Sequence, residues 1–169
     1  FGIVGSYVTV RRISSMAGAI AHSVLAGVGA ALYYNSRHDI SWLSPTLGAA
    51  TAGILAALII GLVTIYSRER EETVIGAIWA VGMAVGVLYL ARTPGYVDPM
   101  SYLFGNILIV TIRDLRMILF LDGVVIITGL LLFRQLEAVA FDEEFSRVRG
   151  VPARLYYLLL LLLSALTIV

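Results

Sequence analysis

The chain has 169 residues, 60% of them apolar and 14% charged, with a net charge of +1 and no cysteine. Soluble domains carry roughly 45–50% apolar and about 25% charged residues, so there is too little polar surface here for a water-exposed globule. The near-zero charge excludes a phosphate-neutralising stripe and with it a nucleic-acid partner. The missing thiols exclude disulfides, thiolate zinc sites and cysteine nucleophiles.

A membrane-crossing helix needs about 20 mostly apolar residues, and the mean hydropathy of +0.94 provides for several. Residues 1–10 form a partial span, already apolar at Phe1. Residues 14–34, 47–66, 73–91 and 117–133 are complete spans, the last one short but extendable at either end. Residues 156–169 form a second partial span, still running at Val169. Both ends read as cut through spans, so the sequence is expected to be a fragment. The expected fold is all-α, a polytopic transmembrane helical bundle, with residues 1–169 as one incomplete domain.

Loop arginines orient such a bundle, because the cytoplasmic loops collect them. Alternating the spans places Arg11, Arg12, Arg68, Arg70, Arg134, Arg147, Arg149 and Arg154 on one side, and Arg37, Arg92, Arg113 and Arg116 on the other. The richer side is expected to be cytoplasmic. The outer connection, residues 92–116, carries the turn signals Thr93-Pro94-Gly95 and Asp98-Pro99. Its apolar stretch 102–112 is too short to cross and reads as a short outer or re-entrant helix. The inner connection, residues 134–154, mixes Phe141, Phe145 and Val148 with Asp142, Glu143, Glu144, Arg147 and Arg149. This pattern predicts an amphipathic helix along the membrane surface, ended by Gly150 and Pro152. It serves either as a solvated connector or as a docking helix for a soluble partner.

Few residues have the chemistry for a site. His22 lies near the middle of the span 14–34, where an ionisable side chain is costly and faces a bundle interior or a pathway. Gly18, His22, Ala26 and Ala30 recur every four residues, as do Ala19, Ser23, Gly27 and Ala31, and small residues at this spacing allow close helix approach. His22 is therefore expected to project into a protein-packed seam. A neutral imidazole there suits a metal ion; the alternative is an imidazole satisfied by a backbone carbonyl of a neighbouring helix. Asp122, in the outer half of the fourth span, is a candidate relay or coordinating group. His38 and Asp39, adjacent in an outer loop, are candidates for capturing a cation. No GxxxxGK[ST] phosphate loop occurs, nor a nucleophile elbow or an HExxH helix, so no catalysis by this chain is expected. If ATP drives it, another chain hydrolyses that ATP.

Several segments carry a family resemblance. Residues 5–12, GSYVTVRR, look like a span end followed by an arginine pair. AHSVLAG at 21–27, ETVIGA at 72–77 and SYLFGNIL at 101–108 follow in order, and FDEEFSRVRG at 141–150 looks like a coupling segment. Together they resemble the ABC-3 permease subunits of zinc and manganese importers. The resemblance implies a bundle of the type II ABC importer kind in the cell membrane, built as a homodimer of permeases embedded in lipid. It implies two cytoplasmic ATPase subunits carrying ATP and an external metal-binding protein that delivers the ion. It implies a transported divalent metal, Zn²⁺ or Mn²⁺, and no tightly bound cofactor. It places His22 in the translocation pathway and gives the ATPase contact to Phe141, Asp142, Glu143, Glu144, Phe145, Arg147, Arg149 and Gly150, within a coupling segment 134–152. Many members carry an Asp where this chain has Gly18, which removes a co-ligand. Against the family's usual length, spans are expected to be missing at both ends. Two rival readings remain: a cobalamin or siderophore type of permease, with a wider pathway and no inward His, and a secondary transporter or membrane scaffold that needs no ATPase.

Overall fold

A computed structural model of the chain describes residues 2–11, 14–38, 42–67, 70–95 and 111–169. Within them the regular structure is helical: α1 (Gly2–Val10), α2 (Ser14–His38), α3 (Pro45–Tyr66), α4 (Glu71–Arg92), α5 (Ile112–Leu131), α6 (Phe133–Phe141), α7 (Glu143–Val148) and α8 (Ala153–Ile168). Three helices, α2, α3 and α4, are each long and apolar enough to cross a membrane. Only such helices satisfy their own backbone polar groups in lipid. α5 and α6 meet that test only as a pair, bent by 75° at the break between them, and α8 is a shorter apolar helix.

Local chemistry fixes several of these ends. Ser44 precedes α3 and its hydroxyl oxygen accepts from the Leu47 N–H at 3.2 Å, with Pro45 in the first turn. A side-chain N-cap followed by proline starts a helix where the first N–H groups have no partner. α2 runs on to His38, beyond the expected end of its span.

α2 is the centre of the packing, pressed between α3 and α4. It runs parallel to α4, since Tyr33 meets Tyr89 and His22 meets Trp79. It runs antiparallel to α3, where Gly27 faces Gly48 and Gly53 lies near Ile20 and Val24. These contacts use the small residues seen in the sequence. A Cβ on Gly27 would run into the Gly48 carbonyl and sit 2.6 Å from the Ala52 Cβ. Without a hydrophobic drive between helices in lipid, such close van der Waals contact is what holds spans together. α8 completes the bundle against α3, α6, α1, α2 and α5. Ile20, Ile60 and Leu161, fully buried, come together where α2, α3 and α8 meet. The Arg11 guanidinium lies 5.0 Å over the Tyr157 ring. The end of α1 and the start of α8 therefore share a face, the one assigned to the arginine-rich side.

Three expectations are corrected. His38 is not in a loop: it is the last residue of α2, because the helix extends past the apolar stretch. Its neighbour Asp39 lies outside the described residues. The helix expected to run to Phe133 starts earlier, at Ile112, and ends at Leu131, where the chain bends sharply into α6. The inner connection is not one helix. It divides into α6 and α7 at Asp142, whose extended backbone (φ −148°) cannot continue a helix. The short helix expected over 102–112 falls almost wholly outside the described residues, as does Arg12.

Candidate functional site

His22 occupies the seam between α2 and α4. Its imidazole stacks on the Trp79 indole, with ring centroids 4.5 Å apart and planes 20° from parallel. The seam is built around that stack. One turn further along α4, Gly82 brings the two backbones together: a Cβ there would come 2.6 Å from the Ser23 Cα. One turn before His22, a Cβ on Gly18 would sit 3.0 Å from Trp79 Cζ3 and 3.2 Å from Cη2. The indole thus lies across Gly18 and along His22, in space that a side chain at position 18 would need. The absence of a carboxylate at position 18 has a steric counterpart in this ring.

The imidazole is half-buried, and its Nδ1 is fully buried with no hydrogen-bond partner. No backbone carbonyl of a neighbouring helix reaches that nitrogen. A buried polar atom left unpaired costs about 1–3 kcal/mol, and a cation bound at the nitrogen would offset that cost. Ser23, next along α2, is already satisfied: its hydroxyl donates to the Ile20 carbonyl at 2.8 Å.

Toward the end of the seam away from Arg11, three tyrosines gather. Tyr89 of α4 lies 5.5 Å from Tyr33 and 6.1 Å from Tyr34, between ring centroids. The Arg37 guanidinium sits 5.3 Å over the Tyr33 ring, and the exposed His38 stacks on Tyr34 at 6.3 Å. Tyrosine rings with a polar end are favoured at a membrane–water boundary, and this group stands within the last two turns of α2 and α4.

Asp122 stands apart from His22. It is exposed on α5, which packs against α8, α6 and α1, whereas His22 is held by α2 and α4. Among the described residues no three His, Asp or Glu side chains converge as a metal site.

The segment from Asp142 to Gly150 is a compact capped unit. The Asp142 carboxylate accepts from the Phe145 N–H at 2.9 Å, and the Ser146 hydroxyl donates to the Asp142 carbonyl at 2.8 Å. At the other end Gly150 adopts φ +79°. Its N–H donates to Arg147 and the Val151 N–H to Ser146, both at 3.0 Å. This is the Schellman pattern, which favours glycine because a Cβ is strained at positive φ. α6 buries Leu136, Val139 and Ala140. α7 instead turns Phe145 and Val148 outward, 55% and 86% exposed, with Phe141 just before it at 73%. The Arg149 guanidinium lies 4.9 Å over the Phe145 ring. The capped unit therefore presents an aromatic and charged face away from the bundle, with Glu144 and Arg147 also exposed.

The sequence drew attention to His22, but not to Trp79. The available signal was a lone indole in a span otherwise composed mainly of small and aliphatic residues.

Comparison with known proteins places the chain. The model of the ABC 3 transport family matches residues 1–169. A probable metal transport system membrane protein of Chlamydia muridarum is 42% identical over 169 residues, 99% of this chain and 57% of that protein. The manganese transport system membrane protein MntC of Listeria monocytogenes is 33% identical over 168 residues, 99% of this chain and 58% of its own. Among solved structures, PsaBC from Streptococcus pneumoniae in complex with Fab superposes with a TM-score of 0.75 at 29% identity, over 99% of this chain and 58% of that one. The chain thus spans a little over half the length of these relatives. It is a multi-pass membrane protein, and it belongs to the ABC 3 transport family.

Proposed function

We propose that this chain forms the pathway of a membrane permease that imports divalent metal ions, Mn²⁺ or Zn²⁺, driven by ATP on a partner subunit. The observation that carries the reading is the end-to-end family match, with relatives named for metal and for manganese transport. One feature of the geometry supports a role for His22 in receiving the ion. His22 is the one histidine within the helix seam, and its unpartnered buried Nδ1 is an acceptor of the kind a divalent ion uses. A single imidazole without thiolates fits several such ions, so Mn²⁺ leads on the names of the relatives alone.

In this reading residues 1–169 belong to one transmembrane domain, and residues 134–152 are its coupling segment. Two permease copies enclose the pathway, and an external metal-binding protein loads it. Two ATPase subunits grip the face made by Phe141, Glu144, Phe145 and Arg149. Their closure on ATP pushes the α6–α7 unit, and the 75° turn after Leu131 converts that push into movement of α5 and of α8 behind it. His22 is then presented to one side of the membrane and afterwards to the other.

The test is a reconstituted complex of the full-length permease with its ATPase, in which ATP hydrolysis is followed against Mn²⁺, Zn²⁺ and Fe²⁺. Stimulation by one of these ions, lost in His22→Ala with assembly intact, is the expected result. Hydrolysis indifferent to all three, with no ion uptake, would sink the proposal.

A further inference from the structure

We propose that Trp79 is the positioning residue for His22: its indole fixes the plane of the imidazole on which the transported cation is received, and Gly18 is small so that the indole fits. This rests on the importer reading above.

Three features of the seam carry it. First, the rings are stacked face to face, 4.5 Å apart and 20° from parallel. A metal ion binds an imidazole in the ring plane, through a nitrogen lone pair. A partner on the ring face therefore leaves ligation open while limiting rotation of the ring. The indole has only an N–H donor and no lone pair for a cation, so Trp79 orients the ligand without being one. Second, the ring has little choice of place. Close contact between the α4 and α2 backbones at Gly82 and Ser23 shuts off one side, and Trp79, one turn earlier, lies over the neighbouring turn of α2. Third, that turn provides an opening at Gly18, where even a methyl would stand 3.0 Å from the indole and force it to shift.

The consequence is a link between Trp79 and ion choice. The ring plane of the sole seam histidine sets the directions left for the other ligands. Zn²⁺ favours tetrahedral surroundings, whereas Mn²⁺ accepts more oxygen-rich, octahedral ones. Loosening the imidazole is expected to change the half-saturating concentrations of the two ions unequally. A stacked aromatic pair is worth about three- to tenfold in an equilibrium constant.

The experiment uses the full transporter with its ATPase in proteoliposomes, as wild type, Trp79→Phe, Trp79→Ala, Gly18→Ala and His22→Ala. Half-saturating Mn²⁺ and Zn²⁺ are measured for each. In parallel, Co²⁺ quenching of tryptophan emission is recorded, the Trp79 part being the wild type minus Trp79→Phe. Expected are a weakening of about three- to tenfold and a changed Mn²⁺ to Zn²⁺ ratio in Trp79→Ala, restoration by Trp79→Phe, and Trp79 quenching that disappears in His22→Ala. Gly18→Ala shifts the ion ratio in the same direction. An unchanged ion ratio in an assembled Trp79→Ala complex, or quenching that survives His22→Ala, overturns the proposal. If neither Trp79→Ala nor Gly18→Ala assembles, the His22 dependence of the quenching decides alone. The two readings fail separately. His22-dependent quenching without transport removes the importer and leaves the positioning, whereas transport with quenching that ignores His22 does the reverse.

Discussion

Gly27 and Gly48 face each other across the α2–α3 seam so closely that a methyl group on either would run into the carbonyl of the other. The obstacle is backbone on both sides, so no side-chain rotation relieves it. Gly27→Ala and Gly48→Ala are each expected to destabilise the bundle by about 3 kcal/mol, the upper end of the usual overpacking range. Gly76, on α4, provides the comparison, since a Cβ there meets nothing within 4 Å. Gly76→Ala is expected to be neutral or slightly stabilising, because alanine favours helix over glycine. Thermal unfolding of the purified full-length protein in detergent measures both. Equal stability for Gly27→Ala and Gly76→Ala would show that the seam is not packed in this way.

The contrast between His22 and Asp122 gives a second prediction. Both are ionisable residues in apolar helices, but only His22 sits in the seam between spans, whereas Asp122 is exposed on α5. His22→Ala is expected to abolish ion uptake, and Asp122→Asn to leave the half-saturating ion concentration within about twofold of wild type, well below the tenfold that 1.4 kcal/mol would bring. A tenfold or larger change in Asp122→Asn would place the carboxylate on the ion's route.

The ends of α7 give a third prediction, because each is fixed by one residue. Removing the Asp142 cap costs about 0.5–2 kcal/mol, and Asp142→Ser, which keeps an acceptor oxygen, is expected to retain most of it. A non-glycine residue at the positive φ of Gly150 costs about 1–2 kcal/mol. Both costs fall on a six-residue helix rather than on the bundle. Asp142→Ala and Gly150→Ala are therefore expected to lower coupling between ATP hydrolysis and ion uptake while the unfolding temperature hardly moves. A large fall in unfolding temperature with coupling intact would assign these residues to the bundle instead.

The bundle was legible in the sequence wherever physics demands a simple pattern. Spans of the right length announced α2, α3 and α4, and the four-residue spacing of small side chains announced the face on which α2 meets its neighbours. What stayed hidden was set by contacts between segments or by single backbone angles. The break at Asp142 depends on a cap that competes with helix continuation, and apolar periodicity alone carries through it. His38 was assigned to a loop because the apolar run stops near Tyr34, although the helix runs on through polar residues past the apolar layer. The Trp79–His22 stack joins residues far apart in sequence, through a parallel register of α2 and α4 that no local pattern encodes. Gly18 was noted as a missing carboxylate, and only the packing shows which ring fills the space.

The exposed face of the capped unit supplies the last prediction. Phe141 and Phe145 are 73% and 55% exposed, so replacing them removes few contacts within the chain. Large aromatic side chains left in water next to arginine and glutamate are the kind of group that anchors a protein partner. Phe145 is partly covered by the Arg149 guanidinium, which holds the ring in one orientation before any partner arrives. Phe145→Ala is therefore expected to weaken association of the ATPase subunit by about 2 kcal/mol or more, the level that marks an interface anchor. Arg149→Ala is expected to weaken it less, through loss of a cation–π contact worth about 0.5–1 kcal/mol at an exposed site. Co-purification of the ATPase subunit with each variant, alongside the unfolding temperature of the permease alone, separates docking from folding. Full retention of the ATPase by the double variant Phe141→Ala/Phe145→Ala would move the coupling surface elsewhere on the chain.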